Sequence, residues 1–162
     1  MEIGRAYNSM NVEYVTNNDI AEIVSFGEQC FRNMKLDTLG LNYCKKSHTQ
    51  NMKRYINTDT YVSIKCMKDQ SIIGFLSAYA SPQIFNNDRG IMNVFTIQAK
   101  PGLPSITKGR VVNALRVFIE DICKKVGIQL INFQAMISND LSKYLEKHNY
   151  KKGDILLYKE VI

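Results

Sequence analysis

A chain of 162 residues with 45% apolar and 22% charged residues has the size and composition of an ordinary folded domain. Lys and Arg number 21 against 15 Asp and Glu, a formal charge of +6, and the balance excludes a disordered chain, a collagen-like repeat and a coiled coil. No apolar run approaches the roughly 18 residues of a membrane span; Ile72-Ile73-Gly74-Phe75-Leu76 is strand-sized, and Met1-Glu2-Ile3-Gly4-Arg5 opens no apolar signal segment. A soluble protein made of a single domain over residues 1–162 is expected.

In chain order, Val12-Glu13-Tyr14-Val15 reads as a short strand. Asn17-Asn18-Asp19 offers a helix N-cap, and Ile20, Ile23, Val24, Cys30 and Phe31 follow at helical spacing, with Gly27 weakening the run. Leu41, Cys44, His48, Met52 and Tyr55 write a second helix. The period then changes to two. Tyr61 to Met67 alternates, with Val62, Ile64 and Cys66 on one face. Lys68-Asp69-Gln70-Ser71 is a turn, and Ile72 to Ala80 is the returning strand. Asn86-Asn87-Asp88-Arg89-Gly90 reads as a second turn leading to a strand from Ile91 to Gln98, which completes an antiparallel meander.

After Pro101-Gly102-Leu103-Pro104, the residues Val111, Leu115, Phe118 and Ile122 form the stripe of a long helix closed by Lys124-Lys125 and Gly127. Ile128 to Met136 is a strand, Asn139-Asp140 caps a short helix carrying Leu141, Leu145 and His148, and Asp154 to Val161 is a final strand. The order is β-α-α-β-β-β-α-β-α-β, an α/β (α+β) chain with a mixed sheet. Cys30, Cys44, Cys66 and Cys123 fall on apolar stripes without any Cys-x-x-Cys pair, so buried reduced thiols are expected rather than disulfides or metal ligands. His48, on the stripe of the second helix, reads as a core or boundary histidine, and no metal site is expected.

This order resembles the GNAT (Gcn5-related N-acetyltransferase) superfamily. Lys68-Asp69-Gln70-Ser71-Ile72-Ile73-Gly74-Phe75 is similar to the family's "dg-x-iiGf" hairpin. Asn139 followed by Tyr144-Leu145-Glu146-Lys147-His148-Asn149-Tyr150 is similar to its ending N…(F/Y)-L-E-K-x-G-(F/Y). The resemblance runs from about Val12 to Val161. It implies a mainly antiparallel sheet flanked by helices and transfer of an acetyl group from acetyl-CoA to an amine.

That chemistry needs a row of backbone N–H groups for the CoA pyrophosphate, supplied in the family by the loop (Q/R)-x-x-G-x-(G/A) opening the long helix. Here the stretch is Thr107-Lys108-Gly109-Arg110-Val111-Val112: Thr107 stands at the Gln or Arg, Arg110 at the first Gly and Val112 at the Gly or Ala. Sliding the register brings Gly109 to the first Gly but leaves Ile106 and Val111 at the other positions. The resemblance therefore implies cofactor contacts through Thr107, Lys108, Gly109 and Arg110, with Lys108 and Arg110 holding phosphate through their side chains; solvated basic residues are the plainer alternative. Backbone N–H groups near Ile97 and Gln98 would serve the oxyanion, and Asn139 matches a cofactor-touching position that also suits a helix cap.

Many members protonate the leaving thiolate with a Tyr five residues before the final aromatic. Counting from Tyr150, that position is Leu145, so its neighbour Tyr144 is the candidate acid. The strand Ile91 to Gln98 carries no acid, which leaves Asp88 as the nearest candidate base or simply a turn residue. Two functions follow. One is an acyl-CoA-dependent N-acetyltransferase acting on a small amine or a protein amine. The other is a catalytically silent GNAT-fold protein that binds protein partners in an assembly, similar to virion proteins of short-tailed bacteriophages. Heavy use of Lys, Asn and Ile agrees with a low-GC bacterium or its virus, so a cytoplasmic or virion-associated protein is expected. Lys45-Lys46, Lys124-Lys125, Lys143 with Lys147, and Lys151-Lys152 lack interleaved aromatics, so they read as a solvated surface and nucleic acid is not an expected partner.

Overall fold

A computed structural model of the chain describes residues 10–34, 41–83, 86–134 and 141–151. The period-2 segments form one sheet in the order β1-β2-β3-β4-β5: β1 (Asn11–Tyr14), β2 (Tyr61–Lys68), β3 (Ser71–Gln83), β4 (Asn86–Ala99) and β5 (Leu130–Phe133). Strands β1 to β4 run antiparallel, β2–β3 and β3–β4 through two-residue connections and β1–β2 across α1 and α2, and β5 joins β4 in parallel after a helical crossover.

The period-3.6 segments cover both faces. Helix α3 (Ser105–Val126) lays Val111, Leu115 and Ile119, all fully buried, on Ile64, Leu76, Ala78 and Val94. Its end is set by Gly127, whose φ of 74° is the left-handed conformation that suits glycine, with the Ile128 N–H bonded back to the Cys123 carbonyl. Helices α1 (Ile20–Asn33) and α2 (Lys45–Ile56) pack Ile23, Val24, Phe26 and Met52 on Ile72 and Phe75 on the other face. Gly74 lets α3 lie flat on the sheet: a Cβ there would collide with the Val111 side chain and stand 2.9 Å from the Gln98 carbonyl oxygen. Helix α4 (Ser142–Glu146) follows β5 and buries Leu145. The architecture is the mixed, mainly antiparallel sheet flanked by helices that the element order implies.

Several sequence expectations change in detail. The stretch Asn86–Gly90 is strand, not turn: Asn86 pairs with Gln83 and Gly90 with Pro82, so the β3–β4 hairpin extends well past Ala80. Strand β5 begins at Leu130 rather than Ile128 and ends at Phe133, while Met136 lies outside the described residues. Leu41 and Cys44 precede α2 rather than belonging to its stripe, and Cys44 is exposed whereas Cys30, Cys66 and Cys123 are buried. The expected Asn139-Asp140 cap and the strand Asp154 to Val161 lie outside the described residues. No helix of the described residues is long and apolar enough to cross a membrane.

Polar groups that cannot reach water are matched. Lys65, whose side chain is 8% exposed, pairs with Asp19 at 2.6 Å and Glu13 at 3.1 Å, and so ties the start of α1 to β2. Burial alone would push the Asp19 carboxyl up and the Lys65 ammonium down. Their mutual bond outweighs it, with help from Thr16 and Glu13, and holds Asp19 below and Lys65 above their ordinary values.

Candidate active site

The site forms where β4 leaves β5. The two strands pair from Ile91 with Leu130 to Val94 with Phe133, and among the described residues the last contact is the Gln134 N–H to the Val94 carbonyl at 3.0 Å. At that level the β3–β4 register skips one residue: Val94 faces Ala78 and Thr96 faces Ser77, so Phe95 is the extra residue of a β-bulge. A bulge bends its strand and re-aims its side chains, and Phe95 and Thr96 both line the cavity that opens here. Beyond it the Lys100 N–H bonds the Ile73 carbonyl. Antiparallel alternation therefore turns the N–H and C=O of Ile97 away from β3, to the side where no described residue of β5 pairs with β4.

The cavity, about 350 Å³, lies between β4 and the α1–α2 layer. Phe31, Tyr43, Tyr55, Phe75 and Phe95 form much of its wall, together with His48, Asn51, Gln98 and Gln134. No Asp, Glu, Lys or Arg of the described residues lines it. A groove of about 380 Å³ continues from it along the start of α3, lined by Pro101, Lys108, Gly109, Val112 and Tyr144; the two share Cys30, Met34, Gln98 and Leu141.

The start of α3, whose Lys108 and Gly109 line the groove, has the polarity of an anion site. Helix α3 starts after Pro104 with no side-chain cap and no acid in its first turn, and its first intrahelical bond is the Lys108 N–H to the Pro104 carbonyl. The N–H groups of Ser105, Ile106 and Thr107 thus lie ahead of the ladder at the positive end of the helix dipole. A Cβ on Gly109 would meet nothing within 4 Å, so the groove floor is open there. Burial pushes the Cys30 thiol up to about 12 although the Lys108 charge pulls it down, so Cys30 is a neutral wall rather than a nucleophile.

Of the residues singled out from sequence, Gln98, Lys108, Gly109 and Tyr144 come together on this groove, and Ile97 with Gln98 borders the cavity. Thr107 and Arg110 share the first turns of α3 but do not line the groove, and Arg110 is exposed. Val112 fills the wall where the family pattern asks for Gly or Ala; it is buried against the sheet as part of the core stripe. Asp88 stands in β4 rather than in a turn, and Asn139 lies outside the described residues. The Tyr144 hydroxyl donates to Asn113 Oδ1 at 2.9 Å and accepts from Arg116 Nε at 3.2 Å; Arg116 is itself paired with Glu120. Glu120 also accepts from the Tyr150 hydroxyl at 2.6 Å, so α4 and the residues after it are tied to α3 by a polar network.

Sequence reading missed the cluster of Tyr43 and His48. The Tyr43 hydroxyl donates to the Val24 carbonyl at 2.6 Å and lies 2.7 Å from His48 Nδ1. Gly27 on α1 makes room for this ring, since a Cβ there would collide with His48 Cε1. The Gly that weakens α1 and the His on the stripe of α2 were the two signals, and they are one feature.

The chain has the GNAT fold. It superposes on a transcriptional regulator from Bacillus halodurans C-125 with a TM-score of 0.75 at 15% identity, over 94% of this chain and 99% of that one. A predicted acetyltransferase with acetyl-CoA from Clostridium acetobutylicum gives a TM-score of 0.69 at 16% identity, covering 93% and 96%. The ribosomal-protein-alanine N-acetyltransferase from Brucella melitensis biovar Abortus 2308 gives 0.71 at 12%, covering 96% and 100%. No protein-family model matches the chain, and no curated protein matches it.

Proposed function

We propose that the chain is an acyl-CoA-dependent N-acetyltransferase. The observation that carries this reading is the groove running from the open start of α3 to the β4 bulge, with Lys108 at one end and the Ile97 N–H at the other. The donor set suits CoA: three backbone N–H groups ahead of the α3 ladder and the Lys108 ammonium for a pyrophosphate, then a neutral channel past Gln98 and Leu141 for an uncharged arm. Acetyl-CoA would supply an acetyl group activated as a thioester.

The chain's own residues then divide the work. The Ile97 N–H, turned away from β3, donates to the oxygen that gains charge when the thioester carbonyl is attacked. The Tyr144 hydroxyl, at the groove wall, turns from Asn113 to give its proton to the leaving sulfur, while Arg116 remains on its oxygen. Asn113 and Arg116 hold that hydroxyl at the groove in the meantime. The residues Arg110 and Val112, standing where the family pattern has small residues, favour a second reading in which the fold is kept as a scaffold for protein partners, including in a phage particle.

Calorimetric titration with acetyl-CoA separates the two. The wild-type protein is expected to bind in the micromolar range, and Lys108→Glu to bind about 10-fold to 100-fold more weakly, the worth of a hydrogen bond to a charged group. Absence of binding at millimolar acetyl-CoA would overturn the enzymatic reading and leave the scaffold.

A further inference from the structure

The hydrogen bonds around His48 fix which of its nitrogens is free. The Val24 carbonyl oxygen can only accept, so the Tyr43 proton, 2.6 Å away, is committed to it. Having used its proton, the Tyr43 oxygen can only accept from His48 Nδ1 at 2.7 Å. Nδ1 therefore carries the ring hydrogen, and Nε2 presents its lone pair. The ring lies on the wall of the same cavity as Phe95, Thr96 and Ile97.

We propose that His48 Nε2 is the base that takes a proton from the acceptor ammonium, and that the acceptor is a primary amine on an uncharged, largely aromatic or aliphatic body. This rests on the acyl-transfer reading given above. The substrate class follows from the wall: Phe31, Tyr55, Phe75 and Phe95 offer apolar faces, and no described lining residue carries a carboxylate to pair with a second cation. A polyamine would have to bury an unpaired charge there.

Burial holds His48 below the ordinary imidazole value, so it is neutral at pH 7 and able to accept. Burial, then the Glu28 and Cys44 charges, pushes Tyr43 up to about 12, so its hydroxyl keeps its proton and goes on donating it to the Val24 carbonyl throughout the working range. The titratable groups near the ring are Glu28 on α1, itself paired with Arg32 at 2.6 Å, Tyr43 and Cys44 before α2, and Lys45 one turn back on α2. Cys30 on α1 is a neutral thiol, and β3 and β4 add no charged side chain to the cavity wall.

In the step, the ammonium gives one proton to Nε2 and the amine lone pair forms the C–N bond. The C–S bond breaks with its electron pair on sulfur, which takes the Tyr144 proton and becomes the thiol; the second nitrogen proton restores the Tyr144 hydroxyl, and His48 returns its proton to solvent. Tyr43 is the positioning residue that keeps Nε2 unprotonated.

The test uses the full chain with acetyl-CoA and two probe amines, 2-phenylethylamine and spermidine, reading thiol release against pH, with acetyl-CoA binding measured on every variant. The expected results are turnover of 2-phenylethylamine in preference to spermidine, and a loss of about 100-fold or more for His48→Gln with unchanged acetyl-CoA binding. The acid limb of the kcat/KM profile should vanish in His48→Gln, and Tyr43→Phe should retain binding but lose rate. A long-range 1H–15N spectrum should show the His48 hydrogen on Nδ1 at pH 7.5. A hydrogen on Nε2, a His48→Gln profile like the wild type, or a preference for spermidine would overturn the proposal. Acetyl-CoA binding without acetylation of either amine would overturn it alone, whereas no acetyl-CoA binding would remove the reading beneath it as well.

Discussion

Gly27→Ala should lower stability, although alanine is the better helix former. In the interior of a helix the exchange gains about 1 kcal/mol. At this position the new Cβ would strike His48 Cε1 and lie 3.0 Å from Nδ1. The ring must move, which gives up the 2.7 Å bond to Tyr43. That loss is worth about 0.5–1.5 kcal/mol, and crowding a packed contact adds about 1–3 kcal/mol. The balance is a net cost of about 0.5–3.5 kcal/mol. At about 2–4 °C per kcal/mol for a chain of this size, Tm should fall by about 1–14 °C. Removing the ring reverses the sign: in a His48→Ala background the Cβ meets no imidazole, and Gly27→Ala should raise Tm by about 2–4 °C. Urea and thermal unfolding of the four proteins closes the double-mutant cycle. Stabilisation by Gly27→Ala in both backgrounds would refute the placement of His48 against α1.

Gly74→Ala should cost about 1–3 kcal/mol by urea unfolding, because the Gln98 carbonyl cannot yield as a flexible side chain could. The ion pair of Lys65 and Asp19 should give stability two pH limbs. Asp19 is held below its unfolded value of about 3.9, so its contribution is present above that pH and is lost as pH falls through the folded value; Asp19→Asn should flatten the acid limb of the unfolding midpoint. Lys65 is held above about 10.4, so its contribution is complete below that pH and is lost as pH rises through the folded value; Lys65→Met should flatten the alkaline limb.

The layers of the fold were readable because burial writes periodicity. Val111, Leu115 and Ile119 repeat at helical spacing and are the buried face of α3, while Ile64 and Cys66 alternate along β2 and sit beneath it. Where pairing rather than burial sustains structure, the pattern fails. Asn86-Asn87-Asp88-Arg89-Gly90 is rich in turn formers, yet it is held in β4 by its ladder to β3. The bulge at Phe95 left no mark either, since one extra residue in an apolar run looks like more of the same strand. For the site, Lys108, Gly109 and Tyr144 could be brought to one groove from sequence because motif positions travel with the elements. The relation of His48 to Val24 and Tyr43 could not, because it depends on how α1 and α2 pack. Cys44 followed the helical spacing of its neighbours but falls just before the first turn of α2, where its side chain meets solvent.

The most direct test of the central claim is an amide 1H–15N titration of the 15N-labelled protein with acetyl-CoA. The Ile97 amide and those of Ser105, Ile106 and Thr107 should shift together along one saturating curve, since one ligand would touch the β4 bulge and the start of α3 at once. Shifts confined to other surfaces, or none at millimolar acetyl-CoA, would contradict it.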